Sequence, residues 1–184
     1  ERHAIARLAA RFALRRVDWI TACSDDLRDR TIALGAPADR IETIPYGVDV
    51  ERFRPDPGGR AACRRALGFE PDDVVLFTAG RFARKKGFEY VIDAVGRLAP
   101  RWPGVRLVIA GGGDLDSELR SRVRDRGIGR HVQFVGVLAQ PDVARHLAAA
   151  DIAVMPSIRD EAGNVDGLPN TVMEALASGT PLVA

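Results

Sequence analysis

From residue 74 onward, short apolar runs that end at glycine or proline alternate with stretches of helical pattern, and this alternation constrains the fold more than any other feature. The runs are residues 74–80, 105–110, 132–136, 152–155 and 182–184, with helical stretches at 88–98, 115–126, 141–150 and 169–178. Strands that are apolar throughout, rather than every second residue, are buried on both faces. Strands of this kind separated by helices build βαβ units on a parallel sheet. The expected fold class is therefore α/β, a Rossmann-like parallel sheet with helices on both faces.

The opening of the chain reads differently. Residues 1–16 form an amphipathic helix with Ile5, Leu8 and Phe12 on one face and Arg7, Arg11 and Arg15 on another. Residues 17–23 are strand-like, Ser24 before Asp25 and Asp26 is a good N-cap for a helix ending near Gly35, and residues 41–45 form another short strand. Arg54-Pro55-Asp56-Pro57-Gly58-Gly59 is linker chemistry. Two strands and two helices cannot bury a core of their own. Residues 1–55 are therefore expected to be the last segment of an N-terminal domain plus a linker. Residues 56–184 are expected to be a second Rossmann-like domain, truncated at its end. The chain has no initiator Met and is read as an incomplete piece of a longer protein.

Composition excludes several classes. With 27 Lys and Arg against 25 Asp and Glu the net charge is +2, too mild for a nucleic-acid binder. No apolar run approaches the ~20 residues of a membrane-spanning helix. Cys23 and Cys63 form no disulfide or zinc pattern, and a reducing, cytoplasmic compartment fits them. His3, His131 and His146 are scattered and read as surface or packing residues.

In open α/β sheets ligands bind beyond the carboxyl ends of the strands, and three loops fall there. The first, Gly80-Arg81-Phe82-Ala83-Arg84-Lys85-Lys86-Gly87, holds the only two lysines of the chain and opens onto a helix N-terminus. Glycine-permitted close approach, N–H dipoles and mobile cations suit a diphosphate, although an exposed basic loop also serves solubility. Its spacing is not that of a Walker A loop. The second, Ala110-Gly111-Gly112-Gly113-Asp114, allows close ligand approach, yet it is also the commonest way to turn from strand to helix. The dinucleotide fingerprint is absent, which argues against an NAD oxidoreductase. The third runs from Pro156 through Asp166-Gly167-Leu168-Pro169-Asn170 into Thr171-Val172-Met173-Glu174-Ala175-Leu176-Ala177, with Pro169 as the expected first helical residue. Asn170, Glu174 and Ser178 form one polar stripe there. The residues alone leave open whether the stripe meets solvent or a cleft where Glu174 would accept from paired hydroxyls.

Taken in order, these motifs resemble the donor half of a retaining nucleotide-sugar glycosyltransferase of family four, with the GT-B fold. Gly80-Arg81, Lys86-Gly87, Val108-Ile109-Ala110-Gly111-Gly112-Gly113, Val135-Gly136 and Pro156-Ser157 carry it. The run from Asp166 to Pro181 is the most specific part, and Ile44-Pro45-Tyr46-Gly47-Val48-Asp49 resembles the family's crossing between domains. The resemblance implies transfer of a sugar from a nucleotide diphosphate to an acceptor hydroxyl with retention of configuration. It implies that Arg81 and Lys86 neutralise the departing diphosphate, the kind of placed charge whose loss costs about 2.7–4 kcal/mol of barrier. Glu174 takes the second position of the family's Glu-x7-Glu pair and binds ribose hydroxyls. Asp166 takes the first, where the usual residue is Glu and the reach is one methylene longer. Gly80, Gly111, Gly167, Leu168, Pro169 and Asn170 are implied donor contacts, with Gly136 and Val137 near the base edge.

No cofactor or metal is expected. The implied partners are the nucleotide-sugar donor and a glycan, lipid-linked or small-molecule acceptor. For a lipid-linked acceptor, the Arg7, Arg11 and Arg15 face would meet the inner face of the membrane. The alternatives are a GT-B sugar-nucleotide epimerase or phosphorylase, and a non-catalytic GT-B protein kept for partner binding or regulation.

Overall fold

A computed structural model of the chain describes residues 2–161, 163, 166 and 169–184, with side chains from residue 5 onward. The chain divides into two compact units, residues 1–47 and 48–184.

The first unit holds helix α1 (Arg2–Leu14), strand β1 (Ile20–Ala22), helix α2 (Asp25–Ala33) and strand β2 (Ile41–Thr43). β1 and β2 pair in parallel. The Ser24 side chain accepts the Leu27 N–H at 3.3 Å, the N-cap read from the sequence. β1 is shorter than the strand-like run. The apolar face of α1 is uncovered, with Ile5, Leu8 and Phe12 all exposed.

The second unit begins with α3 (Pro57–Ala66). This helix corrects the reading of residues 54–59 as linker alone. The Asp56 side chain accepts from Gly59 N–H at 2.9 Å and Pro57 occupies the first turn, so the turn-forming residues start a helix. Then come β3 (Val74–Ala79), a 3-10 turn (Arg84–Lys86), α4 (Phe88–Leu98), β4 (Val105–Ala110) and α5 (Asp116–Asp125). They are followed by β5 (Val132–Gly136), α6 (Gln140–Ala149), β6 (Ile152–Val154), α7 (Asn170–Ala177) and β7 (Leu182–Val183). The five strands lie in the order β5-β4-β3-β6-β7, all parallel.

The central strands β3 and β4 alternate between two cores. Leu76, Leu107 and Ile109 point toward α4 and α5, where they meet Val91, Ile92, Val95, Leu119 and Val123. Val75, Phe77, Val108 and Ala110 point the other way, toward Phe53, Leu147 on α6 and Ala175 on α7. Helices therefore cover both faces, which is why these strands are apolar without alternation. His131 and His146 are packing residues: one is buried with Nδ1 2.9 Å from the Val105 carbonyl, and the other stacks on Phe77 at 5.5 Å.

Away from the strand ends that face the glycine loops, Asp151 ties α3 to the sheet. Its carboxylate takes Arg64 at 3.0 Å, Arg60, and the Val75 N–H at 2.7 Å. Burial opposes its charge, but these three partners prevail and hold the carboxyl below its ordinary range.

Candidate donor-binding site

Counted from β3, the order of the sheet is the 3-2-1-4-5 of a Rossmann half, and its direction of growth reverses between β3 and β6. Beyond the carboxyl ends of β3, β4 and β5 lies a pocket of about 410 Å³. Its floor is Ala79-Gly80 and Ala110-Gly111-Gly112; Val137, Leu138 and Val143 form an apolar side, and Asn170, Thr171 and Glu174 of α7 form a polar one. Arg81 stands at the rim.

Two glycines set how closely the loops pack, Gly111 in the floor and Gly87 at the end of the 3-10 turn. Gly111, at φ 137°, lies so close to β3 that a Cβ there would stand 1.9 Å from the Gly80 carbonyl oxygen. Gly87, at φ 62°, would place a Cβ 2.0 Å from the Pro156 carbonyl oxygen. The strand-end loops are also bonded to one another: Gly80 N–H to Ala110 O (3.0 Å), Gly111 N–H to Gly136 O (2.7 Å), Phe82 N–H to Gly112 O (2.9 Å) and Ile158 N–H to Lys85 O (2.9 Å).

Of the residues singled out in the sequence, Gly80, Arg81, Gly111, Val137, Asn170 and Glu174 come together as pocket lining. Lys86 reaches the pocket edge, its Cδ and Cε 3.7 Å from where a Gly80 Cβ would be. Asp166 binds the lysines of the first loop, with Oδ2 2.6 Å from Lys86 Nζ, Oδ1 3.1 Å from Lys85 Nζ, and Ser157 Oγ donating to Oδ2 at 2.8 Å. Burial works against its charge, yet Lys86, Ser157 and Lys85 hold the carboxyl below the ordinary range. Glu174 is the opposite case: burial alone pushes its carboxyl up. The stripe left open in the sequence thus divides. Asn170 and Glu174 face the pocket, while Ser178 is buried at 4% exposure.

Gly136 does not line the pocket; it turns the chain at the end of β5. Pro169 is the N-cap rather than the first helical residue, its φ of −64° paired with an extended ψ of 123°. Gly167 and Leu168 lie outside the described residues. Arg7, Arg11 and Arg15 are exposed in the first unit. Sequence reasoning missed Thr171, Leu138 and Val143 as lining, and Lys85 and Ser157 as partners of Asp166. Among the described residues, no group of three or more His, Cys, Asp or Glu could hold a metal ion, and no helix is long and apolar enough to cross a membrane.

A Rossmann-like sheet with a pocket over its β3–β5 ends, walled on one side by a helix carrying Asn170 and Glu174, is the arrangement of an open α/β ligand-binding domain. The chain belongs to the group 1 glycosyl transferases, whose family model matches residues 60–184, and the model of glycosyltransferase family 4 matches residues 1–52. It is 38% identical over 182 residues to a GDP-mannose-dependent alpha-(1-6)-phosphatidylinositol monomannoside mannosyltransferase of Mycobacterium tuberculosis, covering 95% of this chain and 46% of that protein. It is 36% identical to a D-inositol 3-phosphate glycosyltransferase of Jonesia denitrificans, over 81% of this chain and 36% of the other. The chain spans about half the length of the mannosyltransferase relatives of Mycobacterium tuberculosis and Mycolicibacterium smegmatis that it matches. Among solved structures, Anabaena HepE in complex with UDP and glucose superposes with a TM-score of 0.83 at 23% identity, over 97% of this chain and 47% of that one.

Proposed function

We propose that the full-length protein is a retaining glycosyltransferase that moves a sugar from a nucleoside diphosphate to an acceptor hydroxyl. The observation that carries this reading is the pocket itself: a glycine floor that admits a ligand backbone-close, cations at its rim and a half-buried carboxylate on its far wall. Arg81 and Lys86 supply charge to the departing diphosphate, the largest demand of the reaction. Glu174 accepts from the ribose hydroxyls, Asp166 meets the donor sugar, and Val137 packs against the base. The names of the relatives make GDP-mannose the first donor to try and a phosphatidylinositol monomannoside the first acceptor, with D-inositol 3-phosphate the second.

The test is calorimetric titration of GDP, UDP and ADP into the full-length protein and its Lys86→Ala variant. One nucleotide is expected to bind, with affinity falling at least ~tenfold in Lys86→Ala, as befits loss of a charge-assisted contact. A folded protein that binds none of the three would discard the donor-site reading.

A further inference from the structure

Every cation of the 81–86 loop already has an acidic partner in this structure. Arg81 stands 3.5 Å from Asp114, and Arg84 donates to both oxygens of Glu118 at 2.6 Å. Those are one-to-one pairs on exposed side chains. The third group differs, because two lysines share one carboxylate, Lys85 on Oδ1 and Lys86 on Oδ2. Ser157 adds a hydroxyl donor to Oδ2. The group therefore carries one positive charge in excess, and Asp166 keeps two partners if any one departs. Asp166 is 9% exposed against 21% for Lys86, so the carboxylate is the member least able to turn to water for compensation.

Resting on the donor-site reading above, we propose that Lys85 is a positioning residue that, with Ser157, holds Asp166 charged and in place while Lys86 Nζ turns to the donor diphosphate. A lone Lys86–Asp166 pair would resist this hand-over. To recruit Lys86, a diphosphate would have to strip a largely shielded carboxylate of its last cation, and a shielded charge left unpaired is costly. With Lys85 present, the same move leaves a neutral Lys85–Asp166 pair behind. This also suits an aspartate at that position. Its shorter side chain needs anchoring from two sides to keep its place at the pocket edge.

Because Lys85 is assigned a role that runs through Asp166, a double-mutant cycle on nucleoside-diphosphate affinity tests it in the full-length protein, with GDP and UDP as titrants. Lys85→Met is expected to weaken binding about tenfold, and Lys85→Arg to leave it near wild type. In an Asp166→Asn background nothing competes for Lys86, so Lys85→Met should then change affinity by less than about twofold. An equal loss in both backgrounds would mean that Lys85 acts on the ligand directly and overturns the inference, as would no loss in the wild-type background. Should Lys85→Met fail to fold, Ser157→Ala runs the same cycle, with a smaller loss expected to vanish beside Asp166→Asn. If wild-type protein binds GDP or UDP and the cycle shows no coupling, only the hand-over falls; if it binds neither, the donor-site reading falls with it.

Discussion

Asp166 and Glu174 are two carboxylates of one loop-helix segment with opposite electrostatics. Asp166 has three partners that outweigh its burial; Glu174 has burial alone. A carboxyl whose folded pKa lies above its unfolded value of about 4.3 contributes stability below that value and loses it as pH rises through the folded one. Above that unfolded value Glu174 therefore costs stability, a cost that a ligand-binding role would account for. Glu174→Gln removes that cost. We expect its Tm to rise by roughly 2 °C at pH 7, with no gain at pH 4, where wild-type Glu174 is already protonated. Nucleoside-diphosphate affinity should fall about tenfold at the same time, since an amide accepts through one oxygen where a carboxylate offers two charged ones. Scanning calorimetry at both pH values and a titration at pH 7 check both halves. Unchanged affinity would remove Glu174 from the ligand.

Elements were legible in the sequence where burial on both faces left no alternative. β3 and β4 read directly as apolar runs interrupted only by Thr78 and Arg106, and α4 as a helix with Val91, Ile92 and Val95 on one stripe. α3 was not, because Pro57, Gly58 and Gly59 are turn formers by composition. The Asp56–Pro57 cap was the signal that they open a helix. The pocket was legible in part: the glycine loops fall at strand ends where ligands bind, but spacing alone left open which way Glu174 faces, and only the family resemblance assigned it to a cleft. The contacts of Asp166 were not, because pairing with Lys85 and Lys86 depends on how the loop after β6 folds back on the 3-10 turn, and no local pattern encodes that. Gly87 is the hinge of this fold-back. Gly87→Ala meets both a left-handed φ and the Pro156 carbonyl at 2.0 Å, whereas Gly68→Ala, at φ 72° with nothing within 4 Å, meets only the first. Left-handed backbone costs a non-glycine residue about 1–2 kcal/mol. Gly68→Ala should therefore lower Tm by roughly 3–6 °C and Gly87→Ala by clearly more, with the excess assigned to displacement of the 156–158 segment. Equal losses, measured in parallel melts, would mean that the Pro156 contact relaxes freely.

At the scale of the molecule, the boundary between the units decides which residues the second unit needs. Composition put that boundary near residue 55, at the proline-rich run, whereas the compact second unit begins at Val48. The physical difference between the two cuts is Phe53. It is 2% exposed and packs into the core shared with Phe77, Leu147 and Ala175. The backbone that carries it is fixed: the Asp49 carboxylate accepts from the Glu51 and Arg52 N–H groups at 3.1 Å, Phe53 N–H bonds Asp49 O at 2.8 Å, and Arg52 reaches Gln140. Residues 48–53 thus belong energetically to the sheet they precede. Removing a buried phenylalanine side chain costs about 3–5 kcal/mol, and a domain of this size shifts by several degrees per kcal/mol. We therefore expect residues 48–184, expressed alone, to melt at least ~10 °C above residues 56–184, and Phe53→Ala in the longer piece to account for most of that gap. Coincident melts of the two pieces would place the boundary at the proline-rich run instead, with Phe53 a passenger on the core rather than part of it.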